Sequence, residues 1–243
     1  MPYSLKDIRA SLPQEKRKTD GTMTRFLYRP VSVPVSWLFL RVGMTPNGVT
    51  MLSGALCIAA FVLTLIPSPA FHRVAIGLFL AFAVLDCADG NMARTIGKKT
   101  TYGGWVDAAG GYLAYATVLM SMGLSCFHGY GVSLSLSVFA LSLPWTQATW
   151  ILLGSLAAIS NTLMRLFHQS LKNAEIAAGI PFAPGKEKRM SEEIGITGYL
   201  PILYLVGFET ATLPFVLAAY AVIYAGGFGV YTLKALHKVS KYE

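Results

Sequence analysis

Six apolar runs, most of them about as long as a helix needs to cross a bilayer, decide what this chain can fold into. They cover about residues 45–65, 71–92, 104–127, 145–166, 194–208 and 212–233. A backbone in lipid must satisfy its own hydrogen bonds, so such runs fold as helices, and the expected class is an all-α integral membrane protein. Composition agrees: 54% of the 243 residues are hydrophobic and 13% are charged, about half the charged share of a soluble domain. Pro67 and Pro69 separate the first two runs. Residues 128–144 are moderately apolar and read as an outer loop or a partly inserted segment. Residues 168–193 are polar, carry Pro181 and Pro184, and read as a loop. The run at 194–208 is short for a span.

Residues 1 to about 30 are polar and basic, without the apolar core of a secretory leader. Residues 31–40, with Pro34 and Trp37, are too few to span and predict an interfacial helix. Thr45-Pro46-Asn47 is a helix start, with a capping side chain and a proline whose missing N–H is not needed. With the N-terminus inside, six spans put nineteen of the twenty Lys/Arg on one side, leaving only Arg73 opposite. The positive-inside rule then predicts both termini in the cytoplasm. The expected division is a cytoplasmic and interfacial segment (1–44), a six-helix membrane domain (45–235) and a cytoplasmic tail (236–243). The net charge of +8 reads as affinity for anionic lipid headgroups, with no nucleic acid as partner. Cys57, Cys87 and Cys126 form neither a disulfide framework nor a zinc spacing. Gly226-Gly227 is expected to mark close helix packing or a bend.

Asp86, Asp89 and Asp107 are the acids that fall inside these runs, with Glu209 at an edge. A carboxylate at mid-membrane costs about 2.5–3.5 kcal/mol, so three of them need a compensating partner. Asp86 and Asp89, three residues apart, project from one helix face. Asp107 opens the returning helix after a short basic loop, so antiparallel neighbours can bring all three to one site. Gly90 and Gly103 remove side chains where a ligand or backbone approaches. Hard oxygen ligands of this kind suit Mg²⁺ or Mn²⁺, above all when a substrate phosphate completes the shell. The competing reading pairs them with Arg94, Lys98 and Lys99 as structural ion pairs. An ion-carrying transporter is disfavoured, because the acids cluster at one membrane face and no second half repeats the first.

The pattern Asp-x2-Asp-Gly-x2-Ala-Arg-x8-Gly-x3-Asp resembles the signature of the CDP-alcohol phosphotransferase (CDP-alcohol phosphatidyltransferase) family. It is met at Asp86, Asp89, Gly90, Ala93, Arg94, Gly103 and Asp107, with both long spacings intact. Six helices, an interfacial N-terminal helix and the Thr-Pro-Asn start are also similar to that family. The resemblance implies one or two divalent cations, Mg²⁺ or Mn²⁺, on Asp86, Asp89 and Asp107, gripping the diphosphate of a CDP-linked donor at the cytoplasmic surface. It implies that Gly90, Ala93 and Gly103 make room for the nucleotide, that Arg94 contacts it, and that Asp107 and Arg94 serve catalysis. An alcohol or anionic acceptor attacks phosphorus and CMP leaves. CDP-diacylglycerol is the expected donor, phospholipid biosynthesis the expected setting, a homodimer the expected assembly and a bacterial inner membrane the expected location.

The family pattern ends in a fourth aspartate, proposed as the base toward the acceptor hydroxyl, and this chain has Gly111 there. Four readings stay open. The acceptor is already ionised at neutral pH; the base is water or another residue such as Glu187, Glu192 or Glu193; the chain binds a CDP-lipid without turning it over; or Gly111 is a substituted residue. Arg165 reads either as a grip for an anionic acceptor or as a positive-inside anchor.

Overall fold

The computed structural model describes residues 3–98, 100–131, 147–180 and 192–240. Two short helices, α1 (Leu5–Ala10) and α2 (Gln14–Thr19), open the chain. A π-helical stretch, Thr24–Tyr28, leads into α3 (Arg29–Arg41). The long helices follow as α4 (Pro46–Thr64), α5 (Pro69–Thr95), α6 (Thr101–Phe127) and α7 (Gln147–Ala177), then the short α8 (Leu200–Glu209) and finally α9 (Leu213–Val239).

Local chemistry sets these boundaries. Ser4 and Asp7 cap α1 reciprocally: the Ser4 N–H donates to Asp7 Oδ2 at 2.7 Å and the Asp7 N–H to Ser4 Oγ at 3.2 Å. These bonds favour the ionised carboxyl and hold Asp7 below its ordinary pKa. The helix expected at residues 31–40 is present as α3, one or two residues longer at each end. Arg41 lies over the Trp37 ring at 5.2 Å, and Arg25 over Phe26 at 5.4 Å. Such cation–aromatic pairs suit a headgroup boundary. At α4 the expected start is realised: Thr45 Oγ1 accepts from the Gly48 N–H at 3.1 Å, and Pro46 is the first helical residue.

The chain is an all-α integral membrane protein. Among the described residues, five helices (α4, α5, α6, α7 and α9) are long and apolar enough to cross a membrane. The sequence predicted six. The expected fifth run, 194–208, yields only the ten residues of α8, about 15 Å of rise. Residues ahead of it wind into turns, with the Gly198 N–H donating to the Gly195 carbonyl at 2.9 Å. A side chain at Gly198 would run into the Glu193 backbone. Ala211, at φ 57°, turns the chain into α9.

The polar stretch expected as a loop from residue 168 begins instead as helix, since α7 continues to Ala177. Its residues are good helix formers, and Gln169 donates to Asn173 one turn on at 3.1 Å. Polarity here marks an exposed helical extension, closed by Gly179 at φ 70°. Most of the expected outer loop (residues 132–144), together with Lys99 and Glu187, lies outside the described residues.

The contacts divide into two compact units, one of residues 1–114 and 186–202, the other of residues 115–185 and 203–243. In the first, α3 and α4 both pack on α5. Val49, Leu85 and Met92 form one core, flanked by Val35, Phe39 and Leu40. The residues before α3 are tied to the turns at 192–198. The Thr22 N–H and hydroxyl donate to the Glu193 carboxylate at 2.9 Å each. Thr24 Oγ1 donates to the Thr197 carbonyl at 2.6 Å, and the Tyr28 hydroxyl to the Gly198 carbonyl at 3.1 Å. Burial raises the Tyr28 phenol well above its ordinary pKa, so it stays a donor.

In the second unit α7 packs on α9. The second half of α6 crosses α7 so closely that a Cβ on Gly123 would stand 2.7 Å from the Trp150 carbonyl oxygen. A Cβ on Gly154 would meet the Leu119 carbonyl oxygen at 2.9 Å. Close packing was expected at Gly226-Gly227, but a Cβ on Gly227 meets only Met164 Sδ at 3.7 Å and one on Gly226 meets nothing within 4 Å. Small residues at two matching helix positions, rather than a glycine pair on one helix, set the approach. The buried Asn161 accepts from Arg165 Nε at 3.1 Å, and the Arg165 guanidinium sits 4.0 Å over the Tyr115 ring.

Candidate active site

The end of α5, the start of α6 and the start of α4 border a cavity of about 970 Å³. Asp86, Asp89, Gly90, Ala93, Arg94, Gly103 and Asp107, all singled out in the sequence, line it together. They meet there for a local reason. Along α5 the steps of three and four residues from Asp86 to Asp89, Gly90, Ala93 and Arg94 keep one helix face. Beyond α5 the chain turns, Gly97 taking φ 68°, before α6 begins at Thr101. Thr100 Oγ1 accepts from the Gly103 N–H at 3.0 Å and caps the new helix. Asp107 follows one turn later.

The three carboxylates differ in surroundings. Asp89 is 6% exposed, and its Oδ2 accepts from Thr50 Oγ1 of α4 at 2.6 Å. Asp86 is half-buried and Asp107 exposed. The charges of Asp86 and Asp107 both act on Asp89. Among the described residues no three His, Cys, Asp or Glu side chains form a ready metal cage. The donor set nevertheless fits a hard divalent cation, because mutually repelling carboxylates, one of them buried, face a common cavity. Mg²⁺ sites of this kind take one or two carboxylates and leave the remaining positions to water and substrate phosphate.

The two signature glycines clear space for protein groups as well as for a ligand. A Cβ on Gly90 would stand 3.2 Å from both terminal nitrogens of Arg94, so Gly90 lets that guanidinium fold back over the helix. A Cβ on Gly103 would stand 3.0 Å from Asn47 Oδ1 and from Thr100 Oγ1. Arg94 Nη2 donates to Asn91 Oδ1 at 2.9 Å. Among the described residues Arg94 therefore bonds an amide, not an aspartate, which removes it from the competing reading of structural ion pairs.

Gly111 does not line the cavity, and a Cβ built on it meets nothing within 4 Å. Among the described residues no side chain stands within 4 Å of where a Cβ at this position would lie. Of the alternative bases, Glu193 is engaged by Thr22, while Glu192 lines the cavity. Asp20, Lys16 and Arg29 also line it. In the sequence they belong only to the polar N-terminal segment, and nothing in their spacing points to the residues of α5. Thr50 was missed as well; its place one turn after the Thr-Pro-Asn start was the available signal.

The model of the CDP-alcohol phosphatidyltransferase family matches residues 43–225. The chain is 32% identical over 121 residues to a phosphatidylinositol phosphate synthase of Mycobacteroides abscessus, a match covering 50% of this chain and 54% of that protein. It is 28% identical over 142 residues to an archaetidylinositol phosphate synthase of Pyrococcus horikoshii, covering 54% of this chain and 72% of the relative. The chain thus spans about half the length of the first relative. A family match over three quarters of the chain, running through the helices that carry the cavity, fits the seven signature residues assembled on its wall: the chain belongs to the CDP-alcohol phosphatidyltransferase family.

Proposed function

We propose that this chain transfers a substituted phosphoryl group from a CDP-linked donor to an acceptor and releases CMP, with CDP-diacylglycerol as donor. The observation that carries this reading is the single cavity lined by all seven signature residues. Asp86, Asp89 and Asp107 would hold the one or two divalent ions, which when bound neutralise charge on the phosphoryl oxygens and orient an in-line displacement. Thr50 fixes the buried carboxylate of Asp89 by its short hydrogen bond. Gly90 admits the Arg94 guanidinium to the wall, where it meets the nucleotide or its phosphates. Gly103 seats the Asn47 carboxamide beside the start of α6. The site faces the cytoplasm in this reading, with both termini on that side and the chain working as a homodimer. The two relatives are named a phosphatidylinositol phosphate synthase and an archaetidylinositol phosphate synthase, so a phosphate-bearing alcohol is the first acceptor to test.

The empty space at Gly111 favours a second reading, in which the chain binds a CDP-lipid and turns it over slowly or not at all. CMP release separates the two. The full chain is reconstituted with CDP-diacylglycerol and Mg²⁺ or Mn²⁺ and offered hydroxyl and anionic acceptors. Metal-dependent release that disappears in Asp107→Ala is the expected result. Release that persists in Asp107→Ala removes Asp107 from the site, and binding without release under every acceptor establishes the second reading.

A further inference from the structure

The family signature accounts for one guanidinium on the cavity wall, and the structure sets a second beside it. Arg29, the first residue of α3, donates from Nε to Asp20 Oδ2 at 2.6 Å and from Nη1 to Asn91 Oδ1 at 3.0 Å. Arg94 Nη2 donates to the same Asn91 oxygen at 2.9 Å. Asn91 is held as acceptor at that atom because its Nδ2 donates to Ser32 Oγ at 2.9 Å. Two cations thus converge on one neutral oxygen. Asp20, which also takes Lys16 at 3.3 Å, offsets only part of that charge.

Donors remain unmet on both side chains. The Arg29 side chain is 11% exposed, and among the described residues its Nη2 makes no hydrogen bond. Arg94 Nε is buried and likewise lacks a partner among the described residues. The unmet Arg94 Nε is costly because it is buried, and guanidinium groups answer best to the oxygens of phosphate or carboxylate.

We propose that Arg29 and Arg94 form a paired-guanidinium subsite for a phosphate-type oxyanion of the bound substrate, with Asn91 and Asp20 as the residues that position it. Which substrate brings the oxyanion rests on the reading of the cavity given above: the diphosphate of the CDP donor, or an anionic group on the acceptor. A merely structural Arg29 would pin α3 to α5 and nothing more.

Binding of CDP and of orthophosphate to the purified full chain, with Mg²⁺ present, separates these roles. Arg29→Gln alone leaves Asp20 as a buried charge lacking its closest partner, so the decisive variant is Asp20→Asn/Arg29→Gln, with the melting temperature as fold control. The double variant is expected to melt near the parent and to bind the relevant anion about ten- to a hundredfold more weakly, the effect of losing a charge-assisted hydrogen bond. Cytidine binding should not change. A loss confined to CDP assigns the subsite to the donor diphosphate, and a loss confined to orthophosphate assigns it to the acceptor. A parent that binds orthophosphate through Arg29 but does not bind CDP keeps the subsite and retires the CDP reading. A folded double variant that binds both ligands within twofold of the parent overturns the subsite, as does a parent that binds neither.

Discussion

Replacing Gly111 by aspartate puts a carboxylate one turn beyond Asp107, at the position where the family pattern carries its fourth acid. The steric cost is small. A Cβ at 111 meets nothing within 4 Å, so no steric penalty arises. Leaving glycine in a helix gains a few tenths of a kcal/mol. The like charge four residues from Asp107 costs about 0.2–0.5 kcal/mol. These nearly cancel, but a carboxylate added within a membrane-spanning helix also costs up to about 2.5–3.5 kcal/mol without a cation to hold it, so the melting temperature should fall by several degrees without Mg²⁺ and recover with it. The catalytic effect should be far larger. A positioned general base contributes about 10²–10⁴-fold, equivalent to about 3–5 kcal/mol of barrier. In a CMP-release assay with CDP-diacylglycerol and Mg²⁺, Gly111→Asp should raise turnover with hydroxyl acceptors by at least about tenfold. Acceptors already ionised at neutral pH should change little, since they need no proton removed. A folded variant with no gain on any hydroxyl acceptor refutes the reasoning and places base function elsewhere, with Glu192 the next side chain to replace.

Three further substitutions probe the frame of the site and the packing of α6. Thr50→Val keeps shape but removes the 2.6 Å hydrogen bond to Asp89; Mg²⁺-dependent CDP binding, read by titration calorimetry, should weaken by about tenfold or more. Unchanged binding would mean that Asp89 needs no help from α4. Gly123→Ala should destabilise the chain by about 1–3 kcal/mol, because its Cβ would stand 2.7 Å from a backbone carbonyl that cannot rotate away. Gly111→Ala, with open space around it, should melt at or slightly above the parent in the same detergent. Equal melting of the two alanine variants would refute the close crossing of α6 and α7.

The sequence by itself determined the class of fold, the start of α4, the helix at α3 and the signature residues that share one cavity wall. The reason is that these depend on short-range patterns: apolar length against bilayer thickness, a cap followed by proline, and carboxylates spaced along one helix face. Asp86 and Asp89 could be placed together because helical periodicity alone aligns them. Asp107 could be added because a short turn allows only an antiparallel return. Polarity misled where it was taken as a sign of irregular chain, as in residues 168–177, which stay helical because exposed helix needs no apolar residues. Apolar character misled in the opposite sense at 194–199, where glycines bend the backbone before α8 begins.

Only the tertiary structure decided which distant groups join the site. Nothing local links Thr50 to Asp89, Asp20 to Arg29, or Arg29 to Asn91; those pairs span nine to sixty-two residues and exist because α3 and α4 pack on α5. It also decided what the glycines are for. Gly90 houses the Arg94 guanidinium and Gly123 a neighbouring backbone, while Gly111 faces open space. A glycine looks the same in every sequence, and its purpose is set by what another part of the chain brings against it.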